Sequence, residues 1–143
     1  SKAVDVLDNP NGFFIMAEAG KIDWANHAND VSSAVKDVLA LNDAVSEALK
    51  FYKKHPDETL IVVTSDHETG GFAIGTAKMG YDTNLKLITD KEKAAESGVA
   101  WTTNAHTGMP VAAFAIGKGS DKFRGYIDNT DVAKNIMCAM GVK

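Results

Sequence analysis

Apolar residues fall along this chain in two kinds of pattern, short continuous runs and longer stretches at helical spacing. Residues 13–17 (Phe-Phe-Ile-Met-Ala) form one run and predict a short buried strand. Residues 31–54 predict helix, in one piece or two, because Ala44, Val45, Ala48, Leu49 and Tyr52 recur on one face. Asn42 or Asp43 is placed to cap a second piece, Lys53 and Lys54 suit a C-terminal end, and His55-Pro56 stops the helix. Residues 59–64 (Thr-Leu-Ile-Val-Val-Thr) are the strongest strand prediction, and their unbroken apolar character suits a strand covered on both faces. A short strand at Leu85–Ile88 and a short helix around Lys91–Ser97 follow in a more polar stretch. Residues 111–116 predict a further buried strand, Gly117, Gly119 and Gly125 mark turns, and residues 130–140 predict a last helix capped by Asn129 or Thr130.

Strands and helices in this alternation predict an α/β fold, a mostly parallel sheet flanked by helices. Three or four strands make a thin sheet, and the two most apolar would suit the middle of a wider one. The expectation is therefore an incomplete part of a larger sheet, with residues 1–143 as one portion of a domain. The chain opens on Ser1 without a signal peptide, so either its start was cleaved or it belongs to something longer.

Composition narrows the function classes. A formal net charge of −4 without a basic run argues against binding nucleic acid or an anionic membrane through bulk charge. No stretch approaches the roughly 20 apolar residues of a membrane span. An anionic substrate would need local positive charge, which bound metal ions could supply. One cysteine, Cys138, excludes an internal disulfide and a cysteine-rich zinc site. Among Ile136, Met137 and Met140 it is expected to be buried on an apolar helix face.

Without thiolates, zinc is held by His, Asp and Glu. Three of the four histidines stand in suggestive settings. Glu18 directly follows the run 13–17, at the carboxyl end where ligands gather in open α/β sheets. Asp23 and His27 are four residues apart, so one helical turn would put both on one face. By itself that spacing also fits a surface ion pair. Asp66 and His67 follow the run 59–64 in Thr64-Ser-Asp-His-Glu-Thr-Gly-Gly71, and a turn at Asp66 is needed if both are to reach one site. Here the plain alternative is a capping aspartate beside an incidental histidine. His106 opens His-Thr-Gly ahead of the run 111–116. His55, after two lysines and before Pro56, is expected to be an exposed helix-end residue. Six candidate ligands exceed the three or four of one zinc, so two metals are the natural reading.

These motifs together resemble the C-terminal portion of bacterial alkaline phosphatases. The resemblance rests on Gly12-Phe-Phe leading to Glu18, Ile22-Asp23 with His27, Thr64 through Gly71, and His106-Thr-Gly, and it extends over nearly the whole chain. It implies that Asp23, His27 and His106 hold one zinc, Asp66 and His67 a second, and Glu18 a magnesium. It implies hydrolysis of phosphate monoesters with two Zn2+ and one Mg2+, a periplasmic or secreted location, and leaves room for a homodimer. The family's nucleophile, shared aspartate, magnesium-binding hydroxyl and phosphate-clamping arginine all precede the Glu18 motif, and only 17 residues do so here. The missing N-terminal part of the enzyme is then the partner, and no catalytic nucleophile is expected in this chain. Asp30-Val-Ser-Ser-Ala34 superficially matches a nucleophile motif but lies after the first zinc motif, so it is read as a helix start. Arg124, the sole arginine, follows every metal motif and is not assigned as the clamp. Trp24, Thr107 and Glu68 receive no ligand role. The alternatives are a non-catalytic metal-binding module and a sulfatase or phosphomutase relative, which share parts of the pattern.

Overall fold

The computed structural model describes residues 2–74 and 99–142. The elements expected at Leu85–Ile88 and Lys91–Ser97 lie outside the described residues. The chain forms two compact units, one of residues 1–47 and 69–106, the other of residues 48–68 and 107–143.

In the first unit, helix α1 (Lys2–Leu7) precedes α2 (Lys21–His27) and the start of α3 (Val31–Tyr52). Helix α2 is a two-turn segment with Asp23 in its first turn, the end a carboxylate suits, and His27 in its last. Asn29, at φ 52°, takes the left-handed conformation that ends a helix, and α3 begins at once. Asp30 caps α3. Its carboxylate accepts from the Ser33 backbone N–H at 3.1 Å and from the Ser33 hydroxyl at 2.9 Å. The core gathers around Val31, against which Val35, Phe72, Val99 and Trp101 pack. Strands β3 (Ala73–Ile74) and β4 (Val99–Ala100) pair antiparallel beside it.

Of the two readings of residues 31–54 the single piece holds: helix α3 is continuous, with Asn42 and Asp43 inside it rather than capping a second piece. No glycine or proline interrupts residues 31–52, so nothing breaks the hydrogen-bond ladder. Residues 13–17 carry no strand among the described residues, and Phe14, Ile15 and Met16 are exposed, Met16 by 82%. An apolar run becomes a strand only when another strand offers its backbone groups.

The second unit is built on β1 (Leu60–Val63) and β6 (Phe114–Gly117). They pair antiparallel, Leu60 opposite Gly117 and Val63 opposite Phe114. The predicted parallel sheet is thus not seen: the described β1–β6 and β3–β4 pairings both run antiparallel. A continuous apolar run reports burial, and strand direction is set by the connection between strands. Burial is also less than expected, since all four β1 residues are half-buried and Phe114 and Ile116 are exposed. A 3-10 turn (Ser120–Phe123) carries the buried Phe123, and the Asn135 amide donates to the Lys122 carbonyl at 2.9 Å, tying it to the last helix α4 (Asn129–Met140). Asp128, rather than Asn129 or Thr130, is the cap of α4. Cys138 is exposed, because the apolar residues around it lie on a helix none of whose residues is buried. His55 is half-buried rather than exposed, its ring stacked on Phe51 with centroids 4.5 Å apart. Strands β2 (Glu68–Thr69) and β5 (His106–Thr107) make a third short pair, and the division between the units runs through both.

Candidate metal centre

Asp23 and His27 share a face of α2 because they are four residues apart on a real helix. His106 comes to them from β5, 79 residues along the chain from His27. Three potential ligand atoms converge in the first unit. His27 Nε2 lies 3.1 Å from His106 Nε2 and 3.4 Å from Asp23 Oδ1, and His106 Nε2 lies 3.8 Å from that oxygen. The two rings are tilted by 40° with centroids 5.0 Å apart, so they meet at their nitrogen edges rather than stacking. A tetrahedral zinc with bonds of about 2.0–2.1 Å holds its ligand atoms roughly 3.3 Å apart. The three observed separations bracket that value. The donor types also suit zinc, which takes imidazole nitrogens and carboxylate oxygens.

Asp23 and His27 are each held from outside the helix. Thr69 Oγ1 donates to Asp23 Oδ1 at 2.6 Å, and the Asn104 carbonyl lies 2.6 Å from His27 Nδ1. Sequence reasoning assigned neither residue a role. Thr69 lies in the Thr64–Gly71 motif, but a threonine carries no local signal of a partner 46 residues away, and a backbone carbonyl carries none at all.

In the second unit, Asp66 and His67 come together just after β1, His67 Nε2 lying 3.4 Å from Asp66 Oδ2. The Ser65 hydroxyl donates to the His67 carbonyl at 2.8 Å and shapes this bend. The turn expected at Asp66 is therefore present. Beyond it Gly70 and Gly71 take φ of 91° and 56°, where glycine meets no steric penalty. Glu68, kept out of the ligand set, accepts a hydrogen bond from the Thr107 hydroxyl. Glu18 lines a cleft of about 360 Å³ in the first unit with Ala17, Lys21, Asp37 and Leu41. It joins no cluster of three potential ligands among the described residues.

The same residues can be set against known proteins. The profile described as alkaline phosphatase matches residues 1–97 and 80–142. The chain belongs to the alkaline phosphatase family. Alkaline phosphatase 4 of Bacillus subtilis is 32% identical over 189 aligned residues, which take in 94% of this chain and 41% of the relative. Alkaline phosphatase H of Pseudomonas aeruginosa is 33% identical across 100% of this chain and 31% of its own length. A TAB5 alkaline phosphatase mutant solved with magnesium bound in its M3 site matches with a TM-score of 0.80 at 35% identity, covering 99% of this chain and 40% of that one. The fold is accordingly alkaline-phosphatase-like α/β, and the chain spans less than half the length of these relatives. No described helix is long and apolar enough to cross a membrane.

Proposed function

We propose that this chain supplies most of the metal ligands of an alkaline phosphatase that hydrolyses phosphate monoesters, the C-terminal portion of that enzyme's domain. The observation that carries the reading is the convergence of Asp23 Oδ1, His27 Nε2 and His106 Nε2 within 3.8 Å of one another. These three hold the first zinc. Asp66 and His67 would give two ligands to the second, one fewer than the three protein ligands usual in a catalytic zinc shell. Glu18 offers a hard carboxylate oxygen for magnesium, whose octahedral shell keeps waters and takes few protein ligands. When bound, zinc lowers the pKa of a coordinated water to about 7 and stabilises charge on the attacking and leaving oxygens.

The chain's own contribution is orientation. Helix α2 presents Asp23 and His27 together, β5 brings His106, and Thr69 and Asn104 fix the first two from behind. The nucleophile, the shared aspartate and the phosphate clamp belong to the remaining length of the enzyme, with which this chain assembles, and the assembled protein works in the periplasm or outside the cell. Zinc titration of the purified chain tests the reading. At least one tight site is expected, and His106→Ala should lose it, because two ligands remain where three stood. Equal zinc affinity in the parent chain and the variant would remove His106 from the site.

A further inference from the structure

Asp23 and His27 are carried by one helix, and they are braced by two stretches of chain that hydrogen-bond to each other, Thr69–Gly70 and residues 102–105. Thr69 is only 7% exposed and spends its hydroxyl proton on Asp23 Oδ1 at 2.6 Å. The next residue, Gly70, anchors the loop of residues 102–105. Its N–H donates to the Ala105 carbonyl at 2.9 Å, and its carbonyl accepts from the N–H groups of Thr102 at 3.0 Å and Thr103 at 3.2 Å. The loop can close this tightly because residue 70 lacks a side chain. At φ +91° a Cβ would stand 2.6 Å from the Trp101 ring. The Asn104 carbonyl on this loop lies 2.6 Å from His27 Nδ1.

A carbonyl only accepts, so Nδ1 must carry the proton. A neutral His27 then has a bare Nε2, and Nε2 is the atom that faces His106 and Asp23. Both α2 side chains are thus oriented by residues other than the three that converge. Such outer partners set ligand tautomer and rotation in metal sites generally.

We infer that Thr69 and the Gly70-anchored loop are a positioning device that sets Asp23 and His27 in ligand geometry before a divalent cation binds. The inference rests on the zinc reading of these three residues. The test uses the whole chain and zinc itself. Chelator competition gives zinc affinities for the parent, Thr69→Val, Thr69→Ala and Thr69→Ser, with circular dichroism on each to report the fold. Loss of the hydroxyl should weaken zinc binding about 10- to 100-fold, and Thr69→Ser should restore it. Nitrogen-15 NMR of the zinc-free parent should show His27 protonated on Nδ1. A folded Thr69→Val or Thr69→Ala chain with parental affinity, or a Thr69→Ser chain as weak as those, overturns the role of Thr69. His27 protonated on Nε2 in the zinc-free chain overturns that of the loop. A parent chain without zinc affinity overturns the metal reading itself, a result separable from the other two.

Discussion

Gly117 occupies a position no other residue fits well. It closes β6 at φ +99°, and a Cβ there would fall inside contact distance of the Thr59 carbonyl oxygen and 3.1 Å from the Tyr52 ring. That carbonyl is already engaged, accepting from the Lys118 N–H at 2.9 Å, so it cannot swing aside without losing a bond. Gly117→Ala should therefore destabilise the chain by at least about 1–3 kcal/mol from backbone conformation alone. The measurement is the urea midpoint of the variant against the parent, and an unchanged midpoint would mean the strand end relaxes freely. The sequence marked Gly117 as a turn but not this reason, because the obstructing carbonyl belongs to a segment far away in the chain. The site residues divide in the same way. Asp23 with His27, and Asp66 with His67, were legible because each pair is local. His106 needed the wider pattern of the family, and Thr69 stayed silent because its bond spans 46 residues. Cys138 misled, since apolar neighbours in sequence imply burial only when something covers that helix face.

At the scale of elements, the two long helices α3 and α4 were read close to their places, the short α1 was missed, and strand direction was misread, since a helix satisfies its own backbone and a strand must borrow from another. Helix α4 offers a test with a defined pH sign. The Thr130 backbone N–H and hydroxyl donate to Asp128 and hold its carboxyl below its ordinary value of 3.8. A lowered folded value means the cap stabilises above the ordinary carboxylate range and is lost as pH falls through the folded value. At the other end of the scale, Asp131 accepts from Lys134 Nζ at 2.7 Å and raises the lysine above its ordinary 10.5. That contribution is complete below 10.5 and is lost only as pH rises through the higher folded value. Both interactions should then persist together through neutral and mildly alkaline solution. Thermal melts across pH should show Asp128→Asn losing part of the parent's acid-side dependence, and Lys134→Met part of its alkaline-side dependence. Parallel curves for parent and variants would show that neither group links α4 to pH.

At the scale of the whole molecule, the decisive question is whether these 143 residues suffice for turnover. The chain matches only 41% and 31% of the lengths of two relatives. Within the chain, the two serines that superficially resemble a nucleophile motif are committed to structure. Ser32 is 3% exposed, and the Ser33 hydroxyl donates to the capping carboxylate of Asp30 at 2.9 Å. Neither stands as a free hydroxyl over the ligands of α2. Arg124 is exposed at the end of the 3-10 turn and follows every metal motif in the chain. Covalent phosphoryl transfer requires an activated nucleophile, and most of its acceleration comes from positioning and complementary charge around the phosphate. The chain by itself should therefore hydrolyse an aryl phosphate at alkaline pH, with zinc and magnesium present, at least about a thousandfold more slowly than the complete enzyme. Adding the remaining length, in the same chain or as a separate piece, should restore the rate. The restored activity should survive Ser33→Ala, which removes a cap bond but no reacting group. Comparable rates with and without the remaining length would place a nucleophile inside this chain, and abolition of that activity by Ser32→Ala or Ser33→Ala in folded protein would identify it.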